Sequence, residues 1–194
     1  MTGRTHDTAA ITFLAIALIF YPVDKGITLA TALVAILANQ IGGLAPDIDQ
    51  PTAPFWRNLP IFRIFGRFGA KLLGGHRFLT HSLLGAALVG YAAHWLLKFL
   101  QPIMPTVDAY LVWWAFMIGI ISHLIMDTFT KEGVPWFLPL PFKLGIPPLR
   151  SLRLTTGKWV ENLVVFPLLI VLLFLIVGAY YNEIVSFIHT EVKR

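Results

Sequence analysis

The chain has 194 residues, 57% of them hydrophobic and only 13% charged, with a mean hydropathy of +0.73 and a net charge of +5. A soluble domain carries about 25% charged residues, so water is excluded as the main solvent of this fold. There is no cysteine, which excludes disulfides, thiolate metal sites and thiol nucleophiles; any metal must sit on nitrogen and oxygen.

Five apolar stretches are expected to form helices: Thr8 to Val23, Ile27 to Ala45, Phe78 to Leu100, Ala109 to Phe129 and Leu163 to Tyr181. Each is close to the roughly 17 to 25 residues that span a bilayer, the first being slightly short. The first is read as a retained helix, because Tyr21-Pro22-Val23-Asp24 is no small-residue cleavage site. His6 stands just before it. The second stretch ends in Ala45-Pro46-Asp47-Ile48-Asp49, where proline closes the helix and extended chain would direct both carboxylates the same way. Paired carboxylates suit hard or borderline cations, although alone such a pair is more often a solvated turn.

Between the second and third stretches, Ile61 to Leu73 carries apolar residues at helical spacing, with Arg63, Arg67 and Lys71 on another face. That is the pattern of a basic amphipathic helix lying on anionic lipid. Gly75-His76-Arg77-Phe78-Leu79-Thr80-His81-Ser82 then opens the third stretch. His81 is expected in the first turns of that helix, with His76 and Arg77 at the interface, where Arg77 suits an anionic oxygen. In the fourth stretch His123 and Asp127, four residues apart, share one helix face. Such a pair serves either as two ligands or as a polar contact between helices. The loop from Pro135 to Pro148 holds five prolines, which excludes a continuous helix and suggests an irregular interfacial segment. Gly157 and Glu161 lie at the start of the fifth stretch, Glu161 pointing inward.

If all five stretches span, the N-terminus and the loops Pro46 to Arg77 and Thr130 to Glu161 lie on one side. The other side receives only Lys25, Lys98, Lys193 and Arg194, leaving eleven of the fifteen Lys and Arg on the first. The positive-inside bias then makes the first side cytoplasmic. His6, Asp47, Asp49, His76, His81, His123, Asp127 and Glu161 all fall at that face, while His94 and His189 fall toward the other. The expected architecture is one all-α polytopic helix bundle over residues 1–194, with a His and Asp site for one or two divalent ions. The imidazole content favours zinc, with manganese or magnesium as alternatives.

The His at position 6, Pro46-Asp47-Ile48-Asp49, His76-Arg77 to Thr80-His81-Ser82, and the His123 to Asp127 pair resemble the membrane-bound metal-dependent hydrolases associated with the LexA regulon in bacteria. The resemblance extends from residue 6 to about residue 161. That family is in turn similar to the zinc-dependent phospholipase C and nuclease P1 group of all-helical phosphoesterases. The likeness implies that His6, Asp47, His81, His123 and Asp127 correspond to metal-binding or catalytic positions. Only Glu161 is available where a third metal would need further ligands.

Together these features imply hydrolysis of a phosphoester, on a lipid headgroup or other amphiphile, at the cytoplasmic face of a bacterial inner membrane. His6, Asp47, His81, His123, Asp127 and Glu161 would hold metal, Asp49 or His76 would handle the proton, and Arg77 would stabilise phosphoryl charge. The expected partners are membrane lipids and an anionic phosphate-containing substrate. Nucleic acid is not expected, since the basic residues sit where membrane topology already requires them. A metal transporter or channel is the alternative, weakened by a fifth stretch with no polar residue at its centre. A scaffold with a structural metal is the other.

Overall fold

The computed structural model describes residues 1–20, 26–49, 79–140 and 142–193. The basic segment Ile61 to Leu73, His76 and Arg77 therefore lie outside the described residues. Among those described, every regular element is helical: α1 Gly3–Ile19, α2 Leu29–Leu44, α3 Leu83–Leu100, α4 Ala109–Thr128, α5 Phe166–Ala179 and α6 Tyr181–Val192. A 3-10 turn at Ala45–Asp49 prolongs α2, and a π turn at Glu161–Val165 leads into α5. Isolated bridges, Thr130 with Leu154 and Val134 with Leu144, and a short 3-10 turn at Arg150–Leu152 interrupt the loop between α4 and α5. That agrees with an irregular, proline-rich segment whose backbone groups are paired locally.

Four helical runs among the described residues are long and apolar enough to cross a membrane: Leu29–Ile48, Leu83–Ile103, Ala109–Thr128 and Glu161–Ala179. The first apolar stretch differs from the other four. It begins earlier than its hydropathy suggests, at Gly3, takes in His6 and Asp7, and forms a helix of 17 residues. Its buried face carries Thr5, His6, Ala9, Ala10, Thr12 and Leu14, and it packs on α4, α2 and α5. Glycine and alanine in that interface let backbones approach, as is usual where lipid supplies no hydrophobic drive.

The most extensive helix pair is α2 with α4. Asn39 Nδ2, fully buried, donates to the Ala115 carbonyl at 3.0 Å. Gly42, Gly43 and Gly119 line the seam, and a Cβ on Gly119 would lie 2.7 Å from the Gly43 nitrogen. At the far end Thr28 Oγ1 donates to the Thr106 carbonyl, and Thr31 Oγ1 accepts from the Asp108 amide. There Glu191 of α6 also accepts from the Leu29 amide at 3.2 Å. The N-terminus of α2 and the C-terminus of α6 therefore share one end. The opposite end gathers the start of α1, the end of α2, the residues before α3, the end of α4 and the start of α5.

α5 has one buried side chain, Leu169, and Leu168, Val171, Phe174 and Leu175 along one side of it are exposed. A helix that is apolar all round but covered by protein on one side only is one whose remaining surface has lipid as its solvent. In this respect the structure and the composition agree on an integral membrane bundle.

Candidate metal centre

The polar end of the bundle is assembled by local features of each helix. His123 and Asp127 lie one turn apart in α4, as their spacing requires, and both are buried. The His123 Nδ1 faces the Gly43 carbonyl at 2.6 Å. A carbonyl only accepts, so Nδ1 carries the proton and donates. In the neutral ring Nε2 is then a bare lone pair, the arrangement that orients a histidine toward a metal. Among the described residues His123 Nε2 is buried with no hydrogen-bond partner.

His81 is placed differently from the expectation of a position inside helix α3. It precedes the N-cap Ser82, whose hydroxyl accepts from the Gly85 amide at 3.0 Å and donates to the Leu79 carbonyl at 2.7 Å. The imidazole is fully buried, with Thr80 Oγ1 3.1 Å from its Nδ1. Ser82→Ala removes the cap beside this ligand. It should lower stability by about 1 kcal/mol, read as a lower midpoint in thermal unfolding in detergent.

Asp47 also departs from the extended reading. Pro46 has no amide to donate, and here the chain tightens into a 3-10 turn rather than straightening. The alternation of an extended chain therefore does not relate Asp47 to Asp49, and the Asp49 side chain lies outside the described residues. The Asp47 side chain is 24% exposed, whereas those of His81, His123 and Asp127 are at most 1% exposed.

These four side chains converge. His81 Nε2 lies 3.6 Å from Asp47 Oδ1 and 3.7 Å from Asp127 Oδ2, and His123 Nε2 lies 3.7 Å and 3.9 Å from the same two oxygens. Two nitrogens and two oxygens thus alternate around one small space. His6 joins from α1, stacked on His123 with ring centroids 3.7 Å apart and planes 6° from parallel. Its Nε2 is 3.3 Å from Asp127 Oδ1 and 2.9 Å from the Met1 amine, which also contacts Asp127 Oδ1. Two overlapping trios, His6 with His123 and Asp127, and Asp47 with His81 and His123, have ligand atoms within 4.8 Å of one another.

Glu161 is the sequence candidate that the structure does not bring into either trio. It is fully buried, but its Oε1 accepts from the Thr2 amide, Thr2 Oγ1 and Thr5 Oγ1 at 2.6, 2.7 and 2.8 Å. Its Oε2 accepts from the Gly157 amide at 2.7 Å. Gly157 has φ +73, a conformation glycine adopts without strain. Four donors occupy this carboxylate. Of the supporting residues, the sequence pattern singles out neither Thr2, Thr5 nor Gly43, and shows Thr80 only as part of the Thr80-His81-Ser82 segment. Gly43 acts through its main chain, which no residue pattern announces, while the threonines beside His6 and His81 were the one visible signal.

Residues 1–185 match the sequence model of the family described as YdjM inner membrane protein. The chain is 28% identical over 167 residues to the uncharacterized protein YvsG of Bacillus subtilis (strain 168), an alignment covering 84% of this chain and 87% of that protein. It is 32% identical over 111 residues to the inner membrane protein YdjM of Escherichia coli (strain K12) and to that of Shigella flexneri. Those two alignments cover 55% of this chain and 50% of each YdjM protein. No solved structure matches the chain.

Proposed function

The chain belongs to the YdjM inner membrane protein family, and from that premise we propose that it is a membrane-bound, metal-dependent hydrolase acting on a phosphoester at the membrane surface. The observation that carries this reading is the alternating set of His81 Nε2, Asp47 Oδ1, His123 Nε2 and Asp127 Oδ2, 3.6 to 3.9 Å apart. Ligand bonds of about 2.0 to 2.1 Å in a tetrahedron place donors roughly 3.3 to 3.4 Å from one another. A slight contraction of this ring would therefore close it on one zinc-sized ion. The two carboxylates turned toward this space, Asp47 and Asp127, carry the negative charge that a divalent cation there would offset. Two imidazoles among the donors favour zinc, with manganese or magnesium as alternatives. A second ion beside Asp127 Oδ1 and His6 is the two-ion form of the same reading.

When bound, such an ion supplies an activated water and polarises a phosphoryl oxygen. The chain's own residues do the rest. Gly43 fixes the His123 tautomer that turns the Nε2 lone pair to the site, Thr80 contacts the far ring nitrogen of His81, and Asp47 and Asp127 supply the negative charge that retains a divalent cation. The partial exposure of Asp47 leaves the approach on its side. We assign Asp49 or His76 to proton transfer and Arg77 to the phosphoryl oxygens. By the positive-inside bias this end is cytoplasmic, and the substrate an anionic amphiphile held near Lys and Arg of the adjoining loops. The likeness to zinc-dependent phospholipase C and nuclease P1 enzymes belongs to this proposal as its chemical precedent.

The test is hydrolysis by detergent-purified protein loaded with zinc, manganese or magnesium. Substrates would be a chromogenic phosphodiester and vesicles of phosphatidylglycerol. Metal-dependent phosphate release that falls at least a hundredfold in Asp47→Ala and His81→Ala supports the reading. Metal retention with no turnover of either substrate class, nor of ester or amide analogues, would favour a structural ion.

A further inference from the structure

Glu161 lies outside both trios, yet it is fully buried and its carboxylate accepts from Thr2, Thr5 and Gly157. Two of those donors, Thr2 and Thr5, belong to the turn that leads directly into His6. Thr2 is the N-cap of α1 but makes no capping bond of its own to the first turn. The carboxylate instead comes from the start of another helix, where it also complements the positive end of the α1 dipole. The neighbour Asn162 extends the grip: its Oδ1 accepts from Arg4 at 2.7 Å, and its Nδ2 donates to the Gly157 carbonyl at 3.1 Å. Arg4 in turn lies 4.8 Å over the Phe166 ring. Glu161 opens a π turn, a local widening of the helix that recurs at functional positions.

We propose that Glu161 is a positioning residue: it clamps Thr2 and Thr5 so that His6 stacks on His123 and faces Asp127, resting on the ion-site reading given above. Outside α1 itself, Glu161 and Asn162 hold the side chains of the first turn at Thr2, Arg4 and Thr5, alongside the Met1 amine that contacts His6 and Asp127. Glutamate fits this role because all four groups around it are donors. A carboxylate has acceptor sites for all of them, whereas the amide of glutamine must turn its own N–H toward one of these donors. Releasing the clamp frees the turn before His6 and leaves His81, held by Thr80 and the Ser82 cap, where it is.

The experiment pairs two readouts on full-length protein in detergent. The first is N-ethoxycarbonylation of histidines by diethylpyrocarbonate in metal-free protein, mapped by mass spectrometry, with His189 and His94 as exposed references. In Glu161→Gln, His6 should label several-fold faster while His81 stays protected; Thr2→Val/Thr5→Val should do the same. The second is cobalt(II) titration followed by its visible spectrum. Glu161→Gln should weaken cobalt binding by about tenfold to a hundredfold, the range for outer-shell partners. It should shift the bands as His6→Ala does, and the double variant should be no weaker than His6→Ala alone.

Unchanged His6 labelling, or labelling that rises equally at His81, would overturn the proposal. So would cobalt effects that add in the double variant. If wild type binds no cobalt, zinc or manganese but the labelling pattern holds, the ion reading fails and the clamp stands.

Discussion

Protein carrying His123→Ala or Asp127→Ala is expected to lose its metal on dialysis, while the wild type retains one or two equivalents of zinc or manganese by elemental mass spectrometry. These two positions carry the largest expected effect because each belongs to more than one contact in the cluster. His123 is common to both candidate trios, and Asp127 directs Oδ2 toward His81 and His123 while Oδ1 faces His6. Outer-shell changes already reduce metal affinity by about tenfold to a hundredfold, so deleting a ligand should exceed a hundredfold. His94→Ala, near the other end of α3, should leave the content unchanged and serves as the control. Equal metal in all four proteins would move the ion elsewhere. No metal in wild type after reconstitution with zinc, manganese and magnesium would sink the hydrolase reading.

The parts of this site legible from sequence are those set by a single helix. His123 and Asp127 coincide because α-helical spacing puts them on one face, whatever the neighbours do. Convergence at one end was readable from alternating helices alone, and His6, Asp47 and His81 do meet the α4 pair there. Two local conformations were not readable. At Asp47 the proline allows either extended chain or a tightened turn, and the chain takes a 3-10 turn that packs against α4. His81 precedes the helix because Ser82 takes the cap, a choice that the Thr80-His81-Ser82 sequence leaves open. Glu161 shows a different limit. A buried glutamate near a histidine cluster has the composition of a ligand, and only the count of donors around its oxygens distinguishes a clamp. The first apolar stretch illustrates the same point at the level of the fold, since hydropathy locates its apolar centre but not its polar start at Gly3.

Gly119→Ala is expected to destabilise the bundle and weaken metal binding together, a result opposite in sign to the usual helix effect. Replacing a mid-helix glycine by alanine ordinarily gains about 0.5 to 1 kcal/mol of stability. Here the new Cβ would meet the Asn39 carbonyl, and it would lie 2.7 Å from the Gly43 nitrogen and 3.0 Å from the Gly42 carbonyl carbon. All three are backbone atoms, so no side chain can turn away, and α2 must move off α4. Overpacking of this kind costs about 1 to 3 kcal/mol, which outweighs the propensity gain and corresponds to a melting midpoint lower by a few degrees. The same displacement draws the Gly43 carbonyl away from His123 Nδ1, a contact of 2.6 Å, so the imidazole loses the hydrogen bond that orients Nε2. Gly178 is the comparison, because an added Cβ there meets nothing within 4 Å. Gly178→Ala should melt at or slightly above the wild-type temperature and bind metal normally. Differential scanning fluorimetry in detergent, with and without zinc, reads both effects. If Gly119→Ala melts like the wild type and keeps its zinc-induced shift, the α2 to α4 approach is not what holds His123 in place.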